Sequence, residues 1–274
     1  MMPGADGTTP SSYARRVRLA RLFSHPSGRA VIVALAHGPL LGGIAGLARS
    51  DAPRIAEALA PADGLVLSPA MLPAAEPVLA RRDRPVLFVL HRWQSVSRPA
   101  ELLGYEEGAT GELCSIDEAA RWGADGVMTY LYVGWDDPLR EAREVEAVAK
   151  AAARCRELGL LLMVESRAVR PERDADGVAR PALARYHVRL AAELGADLVK
   201  TPWMDRASIG EVVEACPVPL LVSGGRREAD LSVAIGRARE AVQGGAAGVV
   251  YGRYVFQDPD PGRALAALLE AVRG

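Results

Sequence analysis

The sequence predicts an α/β protein, a single (β/α)8 TIM barrel with an N-terminal extension, and three observations carry that prediction. Short runs rich in Val, Leu and Ile alternate with longer Ala-, Arg- and Glu-rich stretches, as strands and helices do around a parallel sheet. Several helical stretches stop at Gly, then Ala, just before the next apolar run: Gly123-Ala124-Asp125, Gly195-Ala196-Asp197 and Gly245-Ala246-Ala247. Glycine there supplies the left-handed cap that ends a helix and turns the chain. Finally, polar, titratable and glycine residues gather at the carboxyl ends of the apolar runs, where a barrel of this class keeps its chemistry.

Eight runs read as strands: Ala30–Leu35, Gly64–Leu67, Pro85–Leu90, Gly126–Tyr132, Leu160–Glu165, Asp197–Lys200, Leu220–Ser223 and Gly248–Gly252. Helical stretches between them include Pro138–Leu158, Leu183–Leu194, Ile209–Ala215 and Asp230–Gln243, and a last one runs from Gly262 to Val272. Residues 25–274 form the barrel. Residues 1–24 form an arm or a helix beneath it, whose Arg15, Arg16, Arg18 and Arg21 are expected to coat a solvated face.

Composition narrows the function classes. With 33 basic and 34 acidic residues the net charge is −1, which argues against a nucleic-acid partner. No apolar run approaches a membrane span, and the first residues lack the apolar stretch of a secretory signal, so a cytoplasmic protein with no membrane partner is expected. Cys114, Cys155 and Cys216 are far apart and odd in number, which fits buried free thiols rather than a disulfide framework or a zinc knuckle.

One count is unusual. Of the 33 basic residues, 31 are Arg, and Lys150 and Lys200 are the only lysines. Lys150 lies in a charged helix and reads as solvated. Lys200 ends the sixth strand, and alternation puts it on the face of Leu198. Inside an apolar barrel, desolvation favours the neutral amine, the nucleophile that forms a Schiff base with a ketone. Two glycine-containing turns, Ser223-Gly224-Gly225 and Tyr251-Gly252-Arg253, follow the seventh and eighth strands, where such barrels hold a phosphate on backbone N–H groups. Arg253 adds a charge-assisted contact. The candidates for proton transfer at the rim are His37, His91, Tyr130, Tyr132 and Glu165. Tyr130 and Tyr132 share a strand face, and Tyr132, nearer the mouth, is the better placed of the two. Glu165 neighbours Lys200 and could act as acid, base or ion-pair partner.

His37-Gly38-Pro39, the run Gly195 to Thr201, Ser223-Gly224-Gly225 and the run Gly252 to Gln257 together resemble the archaeal-type class I fructose-bisphosphate aldolases. These DeoC/LacD-like aldolases include the 2-amino-3,7-dideoxy-D-threo-hept-6-ulosonate synthases. The resemblance runs from about Ala30 to Gly274. It implies Lys200 as the Schiff-base lysine, and Ser223, Gly224, Gly225, Gly252 and Arg253 around a substrate phosphate. It also implies no metal and no cofactor, a phosphorylated small-molecule substrate, and a homo-oligomer, often a decamer. Two departures stand out. The family's Asp-His-Gly has Ala36 in place of Asp, and its frequent Tyr-Pro-Arg reads Glu165-Ser166-Arg167. The resemblance therefore points to a specialised member, of the type that joins dihydroxyacetone phosphate to aspartate semialdehyde on the way to 3-amino-4-hydroxybenzoate in secondary metabolism. Tyr132 and Glu165, with His37, are the candidates for the rebuilt acid/base apparatus. Other readings open at this level are a fructose-bisphosphate aldolase or hept-6-ulosonate synthase, a Schiff-base isomerase or acyl transferase, and a non-catalytic sugar-phosphate binder.

Overall fold

The computed structural model describes residues 9–48, 50–97, 108–170, 180–227 and 230–274; the start of the arm, residues 1–8, lies outside them. Among the described residues eight parallel strands close into a barrel. They are β1 (Ala30–Ala34), β2 (Gly64–Leu67), β3 (Val86–Leu90), β6 (Gly126–Val133), β7 (Leu161–Ala168), β8 (Leu198–Pro202), β9 (Leu220–Ser223) and β10 (Gly248–Tyr251), with β10 pairing back to β1. All eight lie where the apolar runs predict them. Alternation divides their side chains: Ile32, Phe88, Met128, Met163, Leu198 and Leu221 fill the barrel, while Val31, Val89, Val127, Val164, Val199 and Val222 face the outer helices.

Two features depart from the sequence reading. Strands β7 and β8 continue past the apolar runs to Ala168 and Pro202, so Glu165 and Lys200 lie inside their strands rather than at the ends. A hairpin of β4 (Arg92–Gln94) and β5 (Thr110–Glu112) also follows β3. Arg92 holds it down through a buried two-pronged pair with Glu144, at 3.0 and 3.3 Å, and through the Tyr130 carbonyl at 3.3 Å. Glu144 belongs to α6 (Pro138–Leu158), and the Thr110 hydroxyl also donates to it. His91, a rim candidate from sequence, turns away from the barrel mouth: Nδ1 lies 2.6 Å from the Cys114 carbonyl, and the ring borders an outer groove beside Glu112 and Asp117.

Beneath the barrel lies α1 (Pro10–Leu22), capped by Thr9, with Leu22 fully buried in the barrel interior. Its arginines do not simply coat a solvated face. Arg15 pairs with Asp197, Arg18 donates to the Gly159 carbonyl at 2.6 Å, and Arg21, though exposed like Arg16, meets Asp125 at 2.8 Å. Asp125 and Asp197, the acids they reach, share a second task with Asp63, which pairs with Arg273. Asp125 accepts the Leu87 N–H at 3.0 Å, Asp197 the Leu162 N–H at 2.8 Å and Asp63 the Val31 N–H at 2.7 Å. Each carboxylate just before one strand thus satisfies a donor at the start of the neighbouring strand. The glycines two places before Asp125 and Asp197 have the expected left-handed backbone, φ +79° at Gly123 and +101° at Gly195.

Replacing Asp125 with Ala strands the Leu87 N–H and removes the shared partner of Arg21 and Arg84. Urea unfolding of Asp125→Ala should show a loss of about 3 kcal/mol with the slope unchanged.

Candidate active site

The site is built from the inward side chains of β6, β7 and β8 and the turns after β9 and β10. Register places Tyr130, Glu165 and Lys200 side by side across three neighbouring strands. Lys200 Nζ donates to Glu165 Oε2 at 2.6 Å, and both side chains are less than a tenth exposed. Alternation thus resolves Lys200 as inward, on the face of Leu198. The second Glu165 oxygen lies 3.9 Å from Arg167 Nη1. Lys150, by contrast, is a solvated helix residue paired with Glu146 four positions earlier.

Lys200 lies in a cleft of about 700 Å³, counted out to solvent, whose wall includes Tyr130, Glu165, Arg167 and Gln94. Across it are Ser223, Gly224, Gly225, Gly252 and Arg253. Arg253 Nη2 donates to the Gly225 carbonyl at 3.0 Å and ties the two turns together. Gly224 and Gly252 have no room for a side chain: a Cβ on Gly224 would come within 2.8 Å of the Tyr251 ring, and one on Gly252 within 2.4 Å of His37 Cε1. Those glycines let the backbone of both turns and the His37 ring line the same opening, with the Gly224 N–H directed to the Val250 carbonyl at 3.4 Å.

His37 lies at the start of α2 (Gly38–Leu41), edge-on to Phe256 at 5.2 Å. Burial lowers its pKa to about 3, helped by the Arg253 and Lys200 charges, against a weaker opposing effect of the Ala34 carbonyl. The ring is therefore neutral, a hydrogen-bonding group rather than a reserve of protons. Tyr130 is also held neutral. Burial, followed by the charges of Glu165 and Tyr132, raises its pKa well above the usual 10, while Arg167 and a hydrogen bond with Gln94 oppose the shift.

The two tyrosines separate in space. Tyr130 lines the Lys200 cleft, whereas Tyr132, favoured from sequence as nearer the mouth, borders a neighbouring cleft with Arg167, Arg170, Trp203 and Met204. Its hydroxyl lies 3.2 Å from Ser97 Oγ. Arg167 and Ser97 border both clefts. Sequence reasoning missed Gln94 and Ser97, which the short hairpin carries over the barrel. It met Arg167 only as the last residue of the Glu165-Ser166-Arg167 run. Continuing the alternation Met163, Glu165, Arg167 beyond the apolar run is the signal that places Arg167 inside. Ala36 lines the cleft and is nearly buried, so strand β1 contributes no carboxylate at that position.

Comparison with known proteins agrees with this geometry. A family profile described as DeoC/LacD family aldolase matches residues 31–258. The chain is 35% identical over 252 residues to a 2-amino-4,5-dihydroxy-6-oxo-7-(phosphonooxy)heptanoate synthase from Streptomyces griseus, covering 91% of this chain and 87% of that one. It is 31% identical to a 2-amino-3,7-dideoxy-D-threo-hept-6-ulosonate synthase from Halobacterium salinarum, over 94% and 91% of the two chains. An archaeal fructose-1,6-bisphosphate aldolase, solved with its catalytic Lys covalently bound to the carbinolamine intermediate, superposes with a TM-score of 0.77 at 25% identity. That match covers 95% of this chain and all of the other.

Two outcomes test the local electrostatics and packing. In an NMR titration the ring signals of His37, and of His187, also lowered to about 3 by burial, should stay at their neutral positions down to about pH 4. The unfolded chain binds those protons from about pH 6.5 downward, so stability should fall as pH drops from there toward 3. Gly252→Ala forces the His37 ring aside and should cost about 1–3 kcal/mol in thermal unfolding.

Proposed function

The chain belongs to the DeoC/LacD family of aldolases, and from that premise we propose that it joins dihydroxyacetone phosphate to aspartate semialdehyde, in secondary metabolism toward an aminohydroxybenzoate. It is an aldehyde-lyase of the Schiff-base class, and the donor, acceptor and pathway are the proposal. The observation that carries it is Lys200 paired with Glu165 at the inner end of a cleft whose far wall is the two glycine turns.

Glu165 takes a proton from the Lys200 ammonium, and the freed amine attacks the ketone carbonyl. Loss of water leaves a protonated imine, which draws electrons from the adjacent carbon. Glu165, again a carboxylate, takes a proton from that carbon, the resulting enamine attacks the aldehyde, and the same proton passes to the aldehyde oxygen. Water then hydrolyses the new imine and returns Lys200. The donor phosphate sits at Ser223, Gly224, Gly225 and Gly252, where backbone N–H groups approach it without a Cβ in the way, and Arg253 supplies the countercharge. Neutral His37, beside Arg253, hydrogen-bonds the bound donor.

The neighbouring cleft suits the acceptor. Arg167 lies between the two clefts, and a guanidinium pairs with a carboxylate through two parallel hydrogen bonds. Tyr132 and Trp203 offer flat surfaces for the carbon chain. The relatives' products support this choice: the Streptomyces griseus enzyme is named for a seven-carbon amino acid phosphate, the sum of a three-carbon phosphate donor and a four-carbon amino-acid aldehyde.

Borohydride reduction in the presence of dihydroxyacetone phosphate, followed by peptide mass mapping, tests the chemistry. The expected result is a stable adduct on Lys200, no adduct in Lys200→Met, and a turnover fall of about 1,000-fold or more in that variant. An adduct without a new carbon–carbon bond against any aldehyde would assign an isomerase or acyl transferase. Phosphate-dependent binding without an adduct would leave a sugar-phosphate binder.

A further inference from the structure

We propose that Tyr130 is a catalytic residue, relaying protons between Glu165 and the substrate oxygen while the Schiff base forms on Lys200; this rests on the aldolase reading above. When the amine attacks the ketone, charge appears on the carbonyl oxygen, and that oxygen must gain a proton twice, once to become a hydroxyl and once to leave as water. Glu165 holds Lys200 through one oxygen and faces Arg167 with the other, so it lies on the nitrogen side of the reacting carbon. A donor beside it has to serve the oxygen.

Among the described residues, the hydroxyls lining the cleft belong to Tyr130, Ser97 and Ser223. Ser97 Oγ is engaged by Gln94 Nε2 at 2.5 Å and by Tyr132 at 3.2 Å. Ser223 stands at the phosphate turn, two strands from Glu165. Tyr130 is the direct cross-strand neighbour of Glu165, as Glu165 is of Lys200. Same-face neighbours in adjacent strands have Cβ atoms about 5 Å apart, close enough for a substrate oxygen to fit among a phenol, a carboxylate and an amine. Gln94 orients the hydroxyl, and Tyr130 and Tyr132 stack at 6.0 Å. The charged and titratable groups around it are Glu165 and Arg167 on β7, Lys200 on β8 and Tyr132 on its own strand, with His37 and Arg253 across the cleft.

Burial makes Tyr130 a relay rather than a store. With its pKa well above 10, the hydroxyl does not remain ionised, and it releases one proton only as another arrives. Protons then balance. The ammonium proton passes to Glu165; the attacked oxygen takes the Tyr130 proton, and the phenol oxygen takes the one on Glu165. A proton from the new C–N nitrogen then returns to Glu165, and the same route protonates the carbinolamine hydroxyl. Water leaves, the imine is protonated, and Glu165 is again a carboxylate.

The test is the single-turnover rate of borohydride-trappable adduct on Lys200 with dihydroxyacetone phosphate. Tyr130→Phe keeps the ring and should slow trapping by about 100-fold or more, with half-saturation by donor changed less than threefold. That slowing should exceed the effect of Tyr132→Phe at least tenfold. Gln94→Met leaves Tyr130 in place but removes its hydrogen bond, and should slow trapping about tenfold; it decides the matter if Tyr130→Phe does not fold. Trapping by Tyr130→Phe within threefold of the wild type, or slowing no greater than that of Tyr132→Phe, overturns the relay while leaving the aldolase reading intact. A wild-type protein that forms no adduct overturns both.

Discussion

The cleft is organised around the buried pair of Lys200 and Glu165. Removing an ammonium and a carboxylate from water costs several kcal/mol each, and mutual attraction repays this only at good geometry. The 2.6 Å contact comes from register: the two residues are direct neighbours on β7 and β8, and a one-residue slip of either strand would send its member of the pair to the helical side. Well-packed aliphatic residues at both positions are often at least as stable, so folding stability by itself does not account for the pair. On the proposed mechanism, Glu165 is also the group that takes a proton from Lys200.

The opposite end of the barrel provides the rigidity this pair needs. Asp63, Asp125 and Asp197 each close a backbone donor of the neighbouring strand and each meet at least one arginine. Two of them bind arginines of α1, whose Leu22 seals the interior. Charge is thus spent on strand order at the amino-terminal end and on reaction at the carboxyl-terminal end, in keeping with the division of labour in barrels of this class. The repeated Gly-Ala-Asp entries combine both needs in three residues: a left-handed cap that ends one helix, and a carboxylate that fixes the next strand against its neighbour.

Much of this was legible in the chain. Apolar runs mark the eight strands, because strands buried on both faces need continuous apolar sequence. The scarcity of lysine singles out Lys200, and paired glycines mark the turns that close on Arg253. What was not legible has a common cause. The β4–β5 hairpin has three residues in each arm, too few for a periodic signal, and its anchor is Glu144, some fifty residues along the chain from Arg92. The arginines of α1 looked solvated because their partners, Asp125 and Asp197, are distant in sequence. Tyr130 and Tyr132 have the same residue type and the same strand face, so alternation could not divide them. Depth in the barrel and the position of Gln94 do.

The sequence by itself determined the class of fold, the order of its strands, the lysine and the glycine turns. These follow from local rules: hydrophobic period, helix caps, and the φ and space that only glycine allows. The tertiary structure alone decided which carboxylate meets Lys200, which tyrosine shares its cleft, and that Arg167 stands between that cleft and the next. Those contacts depend on strand register and barrel closure, which bring together residues tens of positions apart, and no local pattern records such distances.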